Sequence, residues 1–130
     1  MVNNTQEDIC AVKKYLEGYG ASKNILKMME YEKEYFADES KSHADDALIV
    51  PGGDEVLLKS KMYDVRRFIL GMEDGKEKAL LFYHYIRGFS VEKCSEMMGI
   101  GRTSAFRLKK KALASAAARF AERAKKNAVA

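Results

Sequence analysis

The chain has 130 residues, 47% of them hydrophobic and 32% charged, with a net charge of +4 and a single proline at Pro51. That balance excludes a disordered chain, and the scarcity of proline favours long helices over many short strands. No apolar run approaches the ~20 residues of a membrane span, and the polar N-terminus lacks the basic and apolar blocks of a secretory signal, so a cytoplasmic protein with no membrane partner is expected. Cys10 and Cys94 are far apart and read as buried free thiols in a reducing compartment.

The net charge conceals an asymmetry. Gly88 to Ala130 holds ten Lys/Arg against three Glu, a balance of +7, whereas the first 87 residues carry thirteen basic and sixteen acidic side chains, a balance of −3. Basic charge gathered at one end points to a polyanionic partner, although a solvated helix face would have the same composition.

The predicted elements are all helical, and the expected fold class is all-α. Ile9, Val12, Leu16 and Tyr19 recur at helical spacing, which predicts a first helix over 5–18 that ends at Gly18 and Gly20. Ser22 is placed to cap a second helix over 22–38, with Ile25, Met28, Tyr31 and Tyr35 along one side. Residues 1–38 thus read as an N-terminal helical hairpin and 39–53 as a loop or linker rich in Ser, Asp and Gly. Residues 54–130 read as a second unit. Its first helix, to about Met72, carries the stripe Leu58, Met62, Val65, Ile69 and Met72. Helices over 76–87, 91–98 and from Arg102 to about Asn127 follow, separated by Gly88 and by Gly99-Ile100-Gly101.

The segment from Ser90 to Leu108 carries the most specific pattern. Two helices crossing steeply through a tight turn need a small residue at their approach, a residue tolerant of positive φ at the end of the first, and an apolar plug in the turn. Ser95, Gly99 and Ile100 meet those needs, and Ala105, Leu108, Ala112 and Ala116 supply a buried stripe for the second helix. This is the pattern of a helix-turn-helix that binds double-stranded DNA.

At 100° per residue, the opposite face of the last helix carries Thr103, Phe106, Arg107 and Lys110, flanked by Ser104 and Lys111, with Arg102 in the first turn. The first turns of a recognition helix reach base edges. Arg107 is suited to guanine O6 and N7, and Thr103 or Phe106 to a thymine methyl. Lys109, Lys110 and Lys111 lie where phosphates are expected, and the capped start at Ser90 offers a further phosphate contact. A corner used only for packing has no need of Arg102, Arg107 and three lysines on its outer side.

The stretch Gly75-Lys-Glu-Lys-Ala-Leu-Leu-Phe-Tyr-His-Tyr-Ile-Arg-Gly-Phe-Ser-Val-Glu-Lys-Cys-Ser-Glu-Met-Met-Gly-Ile-Gly-Arg102 resembles region 4 of sigma-70-type factors. The run Gly-Arg-Thr-Ser-Ala-Phe-Arg-Leu-Lys-Lys-Lys-Ala-Leu113 is more similar still to small phage and prophage late-gene regulators of the ArpU/RinA kind. The resemblance covers about 56–117 and departs from the pattern at Gly101, where Ser or Thr is usual, and at Ser95, where Ala is usual. It implies a sequence-specific DNA-binding transcription regulator of phage or prophage origin, with RNA polymerase as a second partner. Without a counterpart of sigma region 2, a complete promoter-opening factor is not expected. A module that docks on polymerase with little direct DNA contact is the alternative. Homodimerisation through the N-terminal half is also expected, because the first two helices must bury their apolar faces on something.

Other candidates are weaker. Cys10, His43, His84 and Cys94 lack a metal-ligand spacing, so no metal or other cofactor is expected. His84 reads as a packed or hydrogen-bonded imidazole. Asp45-Asp46 has no basic or nucleophilic group spaced to assist it, and Gly52-Gly53 is not followed by a Gly-Lys-Ser/Thr phosphate loop, so an enzyme is not expected.

Overall fold

A computed structural model of the chain describes residues 6–35 and 53–129. Those residues are all-helical, with no strand among them: α1 Gln6–Tyr35, α2 Gly53–Leu70, α3 Gly75–Leu81, α4 Val91–Met98 and α5 Arg102–Val129, with a π-helical turn Phe82–Ile86 directly after α3. None of these helices is long and apolar enough to cross a membrane. Residues 39–52 of the expected linker, with His43 and Asp45-Asp46, lie outside the described residues.

The expected N-terminal hairpin is replaced by one helix. α1 runs through Gly18 and Gly20, neither of which has a positive φ. Each glycine costs the helix about 1 kcal/mol relative to alanine, and packing overrides that cost. Val12 and Leu16 are fully buried before the glycines and Ser22 is buried after them, so α1 stays packed across both. α1 lies antiparallel to α2, as two cross-links fix: Tyr15 with Asp64, and Lys33 Nζ with Glu55 Oε2 at 3.3 Å. Beyond Ser22 the apolar side of α1 leaves the core. Ile25 is 46% exposed, Met28 67%, Tyr31 72% and Tyr35 71%.

The core lies where α1, α2, the π turn and α5 meet. Val12 and Leu16 pack with Val65, Phe68, Ile69 and Met72 of α2 and its end, Leu81 and Ile86, and Ala112, Leu113, Ala116 and Ala117 of α5. The predicted stripe on α2 is oriented as expected, with Val65, Ile69 and Met72 buried and Leu58 and Met62 half-buried. The alanines of α5 are small enough to admit the larger side chains of three neighbours, so α5 is central rather than peripheral.

Polar groups lock α5 to this core. Arg123 donates from Nη2 to Asp64 Oδ2 at 2.7 Å and from Nη1 to the Tyr15 hydroxyl at 2.9 Å, and Tyr15 donates to the same carboxylate. One turn earlier, Arg119 Nη1 donates to the Phe68 carbonyl at 2.6 Å, and its guanidinium lies 4.8 Å from the Phe68 ring centroid. This satisfies a carbonyl left open at the end of α2. Gly71 makes the space, since a Cβ there would lie 2.8 Å from Arg119 Nη2.

The π turn is a departure from the continuous helix expected over 76–87. Bonding from i to i+5 brings residues five apart roughly into line, so Leu81 and Ile86 are both buried where an α-helix would turn one away. A further correction concerns the cysteines. Cys94 is buried as expected, but Cys10 is exposed on α1.

Candidate nucleic-acid interface

α4 begins at a residue built to start a helix. Ser90 has extended backbone angles, and its Oγ accepts the Lys93 N–H at 3.1 Å. The approach to Ser90 is also fixed. Gly88 has φ +75°, and the Phe89 N–H donates to the Tyr83 carbonyl at 3.0 Å. The Phe89 ring stacks on Tyr83, and His84 Nδ1 lies 2.7 Å from the Phe89 carbonyl oxygen, so that nitrogen carries the hydrogen. His84 is a structural hydrogen-bond donor, as the sequence suggested.

The turn from α4 to α5 is a Schellman motif. Gly99 takes φ +68°, its N–H donates to Glu96 O at 3.3 Å, and the Ile100 N–H donates to Ser95 O at 3.0 Å. Ile100 is half-buried in the turn, and Ser95 is buried with its hydroxyl donating to Glu92 O at 2.6 Å. α5 then starts from Gly101, whose carbonyl accepts the Ala105 N–H at 2.9 Å. Gly99 thus takes the positive φ, Ser95 the buried position and Ile100 the half-buried turn position expected of them.

The first turns of α5 are two-sided. Ala105 and Ala112 are fully buried against the neighbouring helices. Thr103, Ser104, Phe106, Arg107, Lys110 and Lys111 are exposed, as is Arg102. Lys109 departs from this set. It is half-buried, because at 100° per residue it falls beside the Ala105–Ala112–Ala116 row and not opposite it. Ser90 is exposed near the start of α4, with its hydroxyl oxygen engaged as the cap.

One acidic residue within the site carries no distinctive sequence pattern. Glu92 Oε1 lies 3.2 Å from Arg102 Nη2, so α4 and α5 are joined across the turn by an ion pair. Arg102 also sits 5.9 Å from the centroid of the exposed Phe106 ring. The only signal for the pair is a Glu in the first turn of one helix and an Arg in the first turn of the next. Lys93 and Glu96 form a second, looser pair at 3.9 Å on α4.

The basic surplus of the C-terminal third is divided by this fold. Arg119 and Arg123 are committed to Phe68, Tyr15 and Asp64. Lys111 lies close enough to Asp74 to help hold that carboxyl below its usual range, the main cause being the N–H of Glu77 that Asp74 caps. The exposed basic charge near the corner is therefore Lys93, Arg102, Arg107, Lys110 and Lys111. The buried Cys94 thiol, pushed up by burial, belongs to the packing of α4. Among the described residues, no three of His, Cys, Asp and Glu converge as a metal site would need. No protein-family model, curated protein or solved structure matches this chain.

Proposed function

We propose that this chain is a sequence-specific DNA-binding transcription regulator, of the sigma-region-4-like phage and prophage kind, in which α4, the Gly99–Gly101 turn and α5 act as a helix-turn-helix. α5 enters the major groove by its first three turns. Arg107 reads a guanine, and Thr103 and Phe106 meet thymine methyl groups. Lys110, Lys111 and the exposed start of α4 at Ser90 contact phosphates. The work is binding, with no bond made or broken.

The observation that carries this reading is the two-sidedness of α5. Its buried alanine row fixes the helix rotation, and the opposite face presents Thr103, Phe106, Arg107 and Lys110 to solvent. The test is fluorescence anisotropy on duplex DNA over a range of salt. A log–log salt slope of several units is expected, at roughly 0.9 per phosphate contact. A slope near zero would refute DNA binding.

A second reading is a module that docks on RNA polymerase with little DNA contact. It draws on Val56, Tyr63 and Leu70, which form an exposed row on α2 at spacings of seven residues. A flat salt slope together with polymerase binding would favour that reading.

A further inference from the structure

The far half of α1 bears a pattern that neither the core nor DNA binding uses. Met28, Tyr31 and Tyr35 are each about two-thirds or more exposed, and Ile25 lies at the edge of the same stripe. Beside the stripe runs a row of four exposed charges, Lys23, Lys27, Glu30 and Glu34. At 100° per residue these four fall within about 60° of one another. Within a single helix two of their three neighbouring pairs are unfavourable. Lys23 and Lys27 are a like-charged i,i+4 pair, and so are Glu30 and Glu34, while Lys27 and Glu30 form one favourable i,i+3 pair.

We infer that this face is the interface of a homodimer in which α1 pairs antiparallel with α1 of a second copy. A two-fold axis perpendicular to both helices keeps a given flank on the same side of each, so the charged row of one copy faces the charged row of the other. A parallel dimer would put the two rows on opposite sides. The antiparallel arrangement brings Lys23 to Glu34 of the second copy and Lys27 to its Glu30, and a single register satisfies both. The axis then passes beside Met28, and Tyr35 comes level with Ser22 of the other chain, next to the small, exposed Ala21. Thus the charge order that destabilises the isolated helix is self-complementary across the axis, and the exposed tyrosines and methionines are covered. The dimer does not depend on DNA binding, and it would carry two copies of the α5 outer face.

Two charge variants test this by sedimentation velocity, with circular dichroism as a check on folding. Lys23→Glu/Lys27→Glu makes the row uniformly negative, and Glu30→Lys/Glu34→Lys makes it uniformly positive. The unaltered chain is expected to dimerise at micromolar concentration. Each variant alone should dimerise about tenfold or more weakly, and an equimolar mixture should regain a dimer. A chain that stays a monomer near 14.7 kDa throughout overturns the proposal. So do variants that dimerise as well as the unaltered chain, or a mixture that fails to recover. Should a charge variant not fold, Met28→Cys in a Cys10→Ser background decides the matter. Oxidation should link two copies through position 28, and absence of a cross-linked dimer contradicts the axis placed there.

Discussion

Glu92 and Arg102 face each other across the α4–α5 turn at 3.2 Å, both partly exposed to solvent. The pair ties the two helices of the corner, and it also holds an arginine of the proposed DNA surface against a carboxylate. Exposed pairs of this kind contribute at most about 1 kcal/mol to stability. Their influence on a polyanion is larger, because the carboxylate repels phosphate and competes for the guanidinium.

Glu92→Gln is therefore expected to leave the melting temperature nearly unchanged and to tighten binding to all duplexes. Release of Arg102 to a phosphate should steepen the salt slope by roughly 0.9. Anisotropy titrations at several salt concentrations check this. An unchanged or weakened affinity would place Arg102 away from the DNA.

The lysines after Arg107 should separate by burial. Lys110 and Lys111 are exposed, whereas Lys109 is half-buried beside the alanine row. Lys110→Ala/Lys111→Ala is expected to weaken all sequences alike and to flatten the slope by roughly 0.9 for each phosphate no longer neutralised. Lys109→Ala should change the slope much less. Equal effects of the three lysines would mean that α5 is rotated on the DNA so that Lys109 also faces the backbone.

The two glycines of the turn should respond in opposite directions. Gly99 has φ +68°, and a Cβ there would meet nothing within 4 Å, so substitution is resisted by backbone conformation alone. Gly99→Val should cost about 1–3 kcal/mol. Gly101 has no positive φ and open space around it, and its carbonyl accepts the first bond of α5. Gly101→Ser supplies an N-cap hydroxyl and should add from a few tenths to about 1 kcal/mol. Thermal or urea melts measure both, and a neutral Gly99→Val would show that the turn tolerates a side chain.

The Tyr15–Asp64–Arg123 cluster should make stability depend on pH at both extremes. Burial pushes the Asp64 carboxyl up, but the hydrogen bonds from Tyr15 and Arg123 outweigh it and leave the net shift downward. A depressed folded pKa means stability that is present above the unfolded value of 3.8 and lost as pH falls through the lower folded one. Burial and the Asp64 contact raise the Tyr15 phenol to about 12. Its contribution is complete below the unfolded value of 10.0 and is lost as pH rises towards 12. Asp64→Asn should remove the acid-side loss and destabilise the fold at neutral pH by about 1–3 kcal/mol. Urea melts between pH 2 and 7 check this, and an unaltered acid profile in Asp64→Asn would assign the loss to other groups.

Much of the corner was legible in the sequence because its residues act locally. Ser90 caps the helix that begins at Val91, and Gly99 and Ile100 close a turn on their own neighbours, so the range 91–98 and the buried face of α5 could be read from spacing. The stripe on α2 was legible for the same reason. The continuity of α1 was not, because Gly18 and Gly20 weaken a helix by propensity alone, and only contacts of Leu16 and Ser22 with distant helices reverse that. Arg123 and Asp64 are 59 residues apart, so no local pattern announces their bond. Arg119 and Arg123 consequently counted towards a basic surface when they serve the interior. The π turn was hidden in an aromatic run whose helical period read as regular.

The central claim is that the outer face of α5 reads a DNA sequence, and Arg107 is the exposed residue on that face best suited to a base. The most direct measurement is selection of bound duplexes from a random library, with the unaltered chain and Arg107→Ala in parallel. The unaltered chain should enrich one motif. Arg107→Ala should bind that motif about 1–3 kcal/mol more weakly and lose preference at one or two adjacent base pairs, with the remainder retained. Failure of the unaltered chain to enrich any sequence, or an identical motif from both proteins, would contradict the claim.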